Sequence, residues 1–153
     1  MKFDRSLWGR WISGAVITLL VIQFVPYGRD DVNSRTTSEP AWDSPATRAL
    51  AKQACFDCHS NETEWPLYSH IAPASWLVQH DVNEGRAVLN FSEWQQPQKA
   101  TEAADEVTEG EMPPVIYRLM HAHARLSAED RGRLSRGLAK TLGVSHEQKT
   151  GSP

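Results

Sequence analysis

The two cysteines of this 153-residue chain lie in one turn, at positions 55 and 58, and His59 follows directly. On a helix, residues three apart share a side, so both thiols can meet the two vinyl groups of one haem. His59 is then placed to bind the iron beside the second thioether. The spacing C-x-x-C-H is typical of c-type haem attachment, and it predicts one covalent haem held by Cys55, Cys58 and His59.

Three other interpretations of the cysteines are open. A redox dithiol of the thioredoxin kind would need a βαβ pattern nearby, and the sequence shows none. A zinc site would need two further ligands, and His121 and His123 are closer together than the usual H-x₃₋₅-H spacing. A plain disulfide between Cys55 and Cys58 is the structural alternative in an oxidising compartment. The histidine directly after the second cysteine favours haem over all three.

The first 27 residues predict a membrane segment. The stretch 8–27 is apolar, and as a helix it is about 30 Å long, close to one hydrocarbon core. Basic residues precede it and acidic residues follow it: Lys2, Arg5 and Arg10, then Asp30 and Asp31. The positive-inside rule then keeps the N-terminus in the cytoplasm and exports the rest. We therefore predict an uncleaved single-pass anchor, with a cleaved signal peptide or a buried core helix as alternatives.

The remainder of the chain predicts a linker, a helical domain and a tail. Residues 28–43 are polar without apolar periodicity and indicate a flexible linker. Residues 44–143 carry helix signals, and 144–153 form a polar tail. Helices are predicted at 45–55, 73–90, 97–110 and 113–123, and after Ser127, where Leu134, Leu138 and Leu142 recur every four residues. We expect an all-α fold of four to five helices. The net charge of −3 argues against a nucleic-acid partner.

The segments around the cysteines resemble a bacterial haem-binding domain family of cytochrome c type. The matching stretches are CFDCHSNET, WPLYSHIAPASW, DVNEGR and NFSEW, followed by GEMPP and a Tyr-x-x-x-His step. They extend over residues 44–142 and are densest in the first half. The resemblance implies a class I cytochrome c-like helical fold with one covalent haem, usually near a membrane.

A second iron ligand is also implied. Class I cytochromes c place an axial methionine in a loop before the last helix, and the family motif puts Met112 there. Pro113 keeps Met112 out of the α region, and Met/His ligation is a standard cytochrome c arrangement. Met120 lies in an apolar stretch and is expected to be core. His121, at the Tyr-x-x-x-His step, and an open position are the alternatives; His80 and His123 are expected at the surface, and His146 in the tail.

Several other residues of the matching stretches have two interpretations. Four aromatic residues are expected mostly in the core, with at least one donating to a haem propionate: Trp65, Tyr68, Trp76 and Trp94. Arg86 either pairs with a propionate or lies at the surface. The carbonyl of Pro66 or Pro73 is a candidate to accept the His59 N–H and fix its tautomer.

These observations predict a mono-haem c-type cytochrome domain. No nucleophile–base pair or carboxylate dyad is visible, so one-electron transfer is favoured over catalysis. The expected location is the periplasmic side of a bacterial inner membrane, with a redox partner protein that the sequence does not identify. A haem-based sensor and a peroxidase-like protein are the alternatives. Coordination separates them, because both require an open iron position whereas an electron carrier does not.

Overall fold

The computed structural model describes residues 5–96, 98 and 100–143. These residues form seven α-helices and two short 3-10 helices, without a β-strand in the described ranges. The α-helices are α1 Arg5–Ile22, α2 Pro45–Ala54, α3 Phe56–His59, α4 Ala74–Val88, α5 Ala103–Glu109, α6 Val115–Met120 and α7 Ala128–Thr141; the 3-10 helices are Leu67–His70 and Ala122–Ala124. The predicted all-α class is confirmed. The one-turn helix α3 is additional to the five predicted helices, and the tail 144–153 lies outside the described residues.

The N-terminal helix is shorter than the predicted membrane segment 8–27. Helix α1 ends at Ile22, and its eighteen residues include Arg5 and Arg10. Among the residues described here, no helix is both long and apolar enough to cross a membrane. The difference has two causes. The arginines lower the mean hydropathy of the helix, and Pro26 disfavours helical backbone at the residue before it, so the apolar residues after Ile22 do not extend α1.

The chain divides into two compact units. The first contains the residues up to Val32 together with Trp65–Asp81, and the second contains Asn33–Glu64 and the residues from Val82 onward. Within the first unit, the Gln23 side chain pairs with the backbone of Ala72: Nε2 donates to the carbonyl at 2.9 Å, and Oε1 accepts from the N–H at 3.0 Å. This pairing fastens the end of α1 to the loop before α4.

The second unit is built around an aromatic cluster. Phe56 and Phe91 are almost fully buried, with ring centroids 5.6 Å apart. Trp42 lies 5.1 Å from Phe91 on one side, and Trp94 lies 6.5 Å from it on the other. Burying each phenylalanine contributes roughly 1.5–3 kcal/mol. Trp94 is thus a core residue, as expected, and Trp42 brings the predicted linker into the core.

Backbone contacts also join the predicted linker to the second unit. The Thr37 N–H donates to Ser92 O at 2.9 Å, and the Trp94 N–H donates to Ser38 O at 3.1 Å. Because these bonds and Trp42 hold it, the stretch from Asn33 to residue 43 is a packed part of this unit. Composition suggested a spacer because the stretch is polar, but its backbone groups and its one tryptophan make the contacts.

Local signals in the sequence correctly place the ends of three helices. Ser44 Oγ accepts the Thr47 N–H at 3.2 Å and caps α2, whose first residue is Pro45. Ser127 Oγ accepts the Asp130 N–H at 3.0 Å and caps α7. Gly110 adopts a left-handed conformation with φ of 83° and ends α5. Each signal acts within about four residues, which is why sequence alone predicts it.

Helices α2 and α7 approach closely at Gly137, and this contact gives a first prediction. A Cβ at Gly137 would overlap Thr47 Oγ1 and lie 2.6 Å from Thr47 Cγ2. Gly137→Ala should lower the free energy of unfolding by about 1–3 kcal/mol, because the buried threonine has no room to move. Denaturant unfolding followed by circular dichroism measures this change.

Gly132, on the same helix, provides the matched control. A Cβ there would meet only the flexible end of Arg136, at 3.2 Å. Gly132→Ala should be neutral or stabilise by up to about 1 kcal/mol, since alanine is the better helix former. Equal effects of the two substitutions would show that the α2–α7 contact is looser than described.

A second prediction concerns the ion pair beside the aromatic cluster. Arg48 donates to both carboxylate oxygens of Glu39, each at 2.6 Å, and the Trp42 Nε1–H donates to Glu39 Oε2 at 2.7 Å. The Arg48 hydrogen bonds hold the pKa of Glu39 below its ordinary value of 4.5, although partial burial acts in the opposite direction. A lowered folded-state pKa means that the pair stabilises the protein above that ordinary value, and that this stability is lost as the pH falls through the folded pKa.

Glu39→Gln should therefore destabilise the protein at neutral pH and not in acid. The loss should be about 1 kcal/mol or less, because both side chains are partly exposed. Unfolding free energies of the wild type and the variant should converge as the pH is lowered. A difference that persists unchanged in acid would assign the effect to the shape of the side chain and not to its charge.

Candidate cofactor site

The cysteine motif folds as a single turn at the junction of α2 and α3. The Cys55 N–H donates to Ala51 O at 2.8 Å, the last bond of α2, and the His59 N–H donates to Cys55 O at 2.8 Å. Burial, together with the neighbouring Cys58, raises the pKa of the Cys55 thiol to about 12. A redox dithiol instead uses a thiol with a lowered pKa, so this environment disfavours the dithiol interpretation.

Two backbone carbonyls at the end of α4 orient the His59 imidazole. Nδ1 lies 2.9 Å from Gly85 O and 3.0 Å from Leu89 O, so the ring donates its Nδ1–H there and leaves Nε2 for a metal. The prediction that Pro66 or Pro73 accepts this proton is wrong. The last carbonyls of a helix lack intrahelical partners, which makes the end of α4 the better acceptor. Burial lowers the pKa of His59, so the neutral imidazole that binds metals is favoured.

Gly85 allows α4 to approach the cysteine turn. A Cβ at this position would lie 2.5 Å from Cys58 O and 3.0 Å from Cys58 Cβ, both too close. Any other residue would push the Gly85 carbonyl away from His59 Nδ1. The glycine of the Gly-Arg step is therefore part of the site, although the sequence gave no sign of this role.

Cys55, His59 and Met112 line one cavity of about 220 Å³. Its other walls are mainly apolar: Val88, Leu89, Phe91, Ala103, Val107 and Leu138, with the carboxyl-bearing Glu102 and Glu106. The structure thus brings together three of the four predicted site residues on one cavity, and Cys58 belongs to the same turn. Thiol, imidazole and thioether groups around apolar walls form a donor set that suits a c-type haem.

Met112 reaches the cavity because α5 ends in a tight turn. The left-handed Gly110 reverses the chain, and the N–H groups of Glu111 and Met112 both donate to Glu106 O at 3.1 Å. Met112 is 36% exposed and Met120 is 57% exposed. The expectation that Met120 is core is wrong, since α6 presents this residue to solvent; it does not line the cavity.

The histidines other than His59 lie away from the cavity lining. The His121 ring stacks on Tyr117 with centroids 4.1 Å apart, and its Nδ1 lies 3.2 Å from Tyr117 O. His80 and His123 are exposed, as predicted. His70 pairs with Asp31 at 2.8 Å in the first unit. His146 lies outside the described residues. In the described ranges, no cluster of three or more His, Cys, Asp or Glu residues could hold a metal ion, which the zinc interpretation would require.

Arg86 is a structural fastener. Its Nε donates to Ser60 O at 2.8 Å, and one terminal nitrogen donates to Asn33 Oδ1 at 2.8 Å and to Thr63 Oγ1 at 2.9 Å. The guanidinium therefore ties α4 to the segment directly after His59. Neither of the two expectations for Arg86, a propionate partner or a surface residue, describes these contacts.

Buried polar residues explain two of the matching stretches. Asn90 Nδ2 donates to Asn61 Oδ1 at 2.9 Å, the Asn61 N–H donates to Ser92 Oγ at 2.9 Å, and the Ser92 N–H donates to Asn90 Oδ1 at 2.9 Å. This network links the segment after the cysteine motif to the segment after α4. Because each buried group has a partner, the network fixes both segments around His59.

One contact at the motif was not predicted. The Tyr117 hydroxyl donates to the carboxylate of Asp57, which lies between the two cysteines, and Asp57 Oδ1 also accepts the Glu64 N–H at 2.9 Å. This contact joins α6 to α3. In the first unit, the indole N–H groups of Trp65 and Trp76 are buried and have no hydrogen-bond partner among the described residues. Their predicted choice between packing and propionate binding stays a prediction.

Comparison with known proteins gives one match. A family model described as "Haem-binding domain" matches residues 17–140. No curated protein and no solved structure matches the chain.

Proposed function

Since this chain belongs to the haem-binding domain family, we propose that it is a membrane-tethered mono-haem c-type cytochrome that transfers single electrons. Haem binding follows from the family. Covalent attachment, the iron ligands, electron transfer and the location are the proposal. The observation that carries it is the shared cavity of Cys55, His59 and Met112.

Each residue has a defined role in this proposal. The thiols of Cys55 and Cys58 each add across one vinyl group: sulfur bonds to one vinyl carbon and the proton goes to the other, so no oxidant is consumed. His59 binds through Nε2, because Nδ1 is committed to two carbonyls. Met112 supplies a thioether to the opposite face. When bound, haem supplies the one-electron couple.

The surroundings suit electron transfer. Two protein ligands leave no position for an exogenous ligand, and few atoms need to move when the iron changes charge. Apolar walls such as Val107 and Leu138 exclude water from the site. The close approach of α2 and α7 at Gly137, beside this cavity, supports the finer proposal of a class I cytochrome c-like fold.

The N-terminal segment is the proposed tether, with the haem site in the periplasm. Large apolar residues of α1 are exposed on all sides of the helix: Leu7, Trp8, Trp11, Ile12, Val16, Ile17, Leu19, Leu20 and Val21. A helix that is apolar all round is typical of a lipid environment. At about 1.5 Å per residue, α1 is about 27 Å long, and Phe24 and Val25 beyond it are also exposed. Retention of the protein in carbonate-washed membranes tests the tether.

Optical spectra of the wild type test the proposed function. The ferric protein should show the Met-to-iron charge-transfer band, and the ferrous protein should not bind carbon monoxide readily. A wild type that lacks the band and binds carbon monoxide at once would make a sensor or a peroxidase-like protein the better proposal. The exposure of Met112 is the observation that favours that second candidate.

A further inference from the structure

Met112 lines a second concavity, on the α6 side of its loop. This groove has a volume of about 380 Å³. Three arginines line it, Arg118, Arg125 and Arg131, together with apolar residues that include Val115, Leu119 and Leu126. No aspartate or glutamate lines it. We call it the arginine groove.

The arginines are held in place without being neutralised. Arg125 Nε donates to Arg118 O at 2.7 Å, and its terminal nitrogen donates to Leu119 O at 3.0 Å. An Arg118 terminal nitrogen lies 3.5 Å from Gly110 O, at the start of the methionine loop. No ion pair joins any of the three to a carboxylate in the part of the chain that the structure describes. The groove is therefore positive, although the whole chain has a net charge of −3.

An exposed apolar face adjoins the groove. On the short helix α6, Val115, Ile116, Leu119 and Met120 are each more than half exposed. Ile116 and Met120 do not line the groove, so a small anion bound there would leave them in water. Covering both features requires a surface larger than a small molecule. Contiguous exposed apolar residues beside charged ones are typical of a protein–protein contact.

We propose that the arginine groove and the exposed face of α6 form the docking surface for an acidic electron-carrier protein. The partner would present carboxylates to the three arginines and an apolar centre to α6. This inference rests on the proposed function, because Met112 lines both the groove and the cofactor cavity and brings a docked partner beside the iron ligand. Charge complementarity of this kind accelerates encounter and makes the rate sensitive to salt.

The test uses the haem-loaded full chain in detergent and reduced plant-type ferredoxin as the acidic one-electron donor. Stopped-flow absorbance gives the second-order rate constant for haem reduction at several ionic strengths. In the groove variant, Arg118, Arg125 and Arg131 all become glutamine. We expect its rate at low salt to fall about tenfold or more and its salt dependence to flatten.

A matched variant removes three positive charges elsewhere in the second unit: Arg35, Lys140 and Arg136, which are all exposed, become glutamine. Its net charge equals that of the groove variant, and its rate should stay within about twofold of the wild type. Leu119→Gln should slow the reaction at high salt, where only the apolar contact remains. Equal slowing by the two triple variants would overturn the proposal, since total charge would then explain the rates.

Three further results separate this proposal from its neighbours. Loss of haem or of the Met-to-iron band in the groove variant would overturn docking, because the arginines would then support the cofactor. Sedimentation of the wild type as a dimer and of the groove variant as a monomer would make a second copy of this chain the occupant. If the wild type lacks the band, the proposed function fails, while the difference between the two triple variants still decides docking.

Discussion

Acid–acetone extraction should strip all haem from a Cys55→Ala, Cys58→Ala double variant and none from the wild type. Thioether bonds survive acid and denaturation, whereas coordination does not, because acid protonates the His59 imidazole and frees the iron. The wild-type polypeptide should also carry the mass of one haem. Each single variant should keep its haem through the remaining thioether. Haem staining of denaturing gels and intact mass spectrometry measure the difference.

Met112→Ala is the control for this experiment. It removes a proposed iron ligand and leaves both attachment points, so its haem should stay on the polypeptide through extraction. A wild type that loses its colour on extraction would rule out covalent attachment. A wild type with no haem and an oxidised Cys55–Cys58 pair would instead support the plain disulfide.

Sequence predicts the parts of the site that depend on near neighbours. Two thiols and a histidine within five residues define the attachment turn, and Ser44, Gly110 and Ser127 act on helix ends within a few residues of themselves. The Met112 assignment came from a resemblance, and the loop reaches the cavity because Gly110 can adopt a left-handed conformation. In each case the chemistry of a short segment decides the outcome.

Contacts between distant segments were not predictable. The carbonyls that orient His59 belong to residues 26 and 30 positions away, and any backbone carbonyl is chemically equivalent to any other. Arg86 has the right chemistry for a propionate, yet the packing of α4 beside Ser60 gives it backbone and hydroxyl partners instead. Sequence identifies the donor in both cases, whereas the tertiary fold selects the acceptor.

The same limit explains the errors on hydrophobic residues. Met120 lies in an apolar stretch, but α6 packs through Tyr117 and leaves this methionine in solvent. Trp42 lies in a polar stretch and is nevertheless part of the aromatic cluster. Apolar content over a short window does not determine burial, because the partner surface comes from elsewhere in the chain. The exposed face of α6 is the more informative result, since it marks the proposed docking surface.

Met112→Ala should abolish the Met-to-iron charge-transfer band and open the sixth position. A thioether is a soft, neutral ligand that favours ferrous over ferric iron, so its loss should lower the reduction potential by on the order of 100 mV. Carbon monoxide should then bind readily to the ferrous protein. Met112→His should keep the iron six-coordinate and also lower the potential, because a second nitrogen ligand favours ferric iron. Optical spectroscopy and redox titration measure these changes.

Met120→Ala is the matched control, because it removes a methionine eight residues away that is exposed and does not line the cavity. It should leave the band and the potential nearly unchanged. Its effect on stability should also be small, because an exposed side chain buries little area. The decisive comparison is the charge-transfer band in the two alanine variants. If the band survives Met112→Ala and vanishes in Met120→Ala, the ligand is Met120, and α6 must move toward the iron when haem binds.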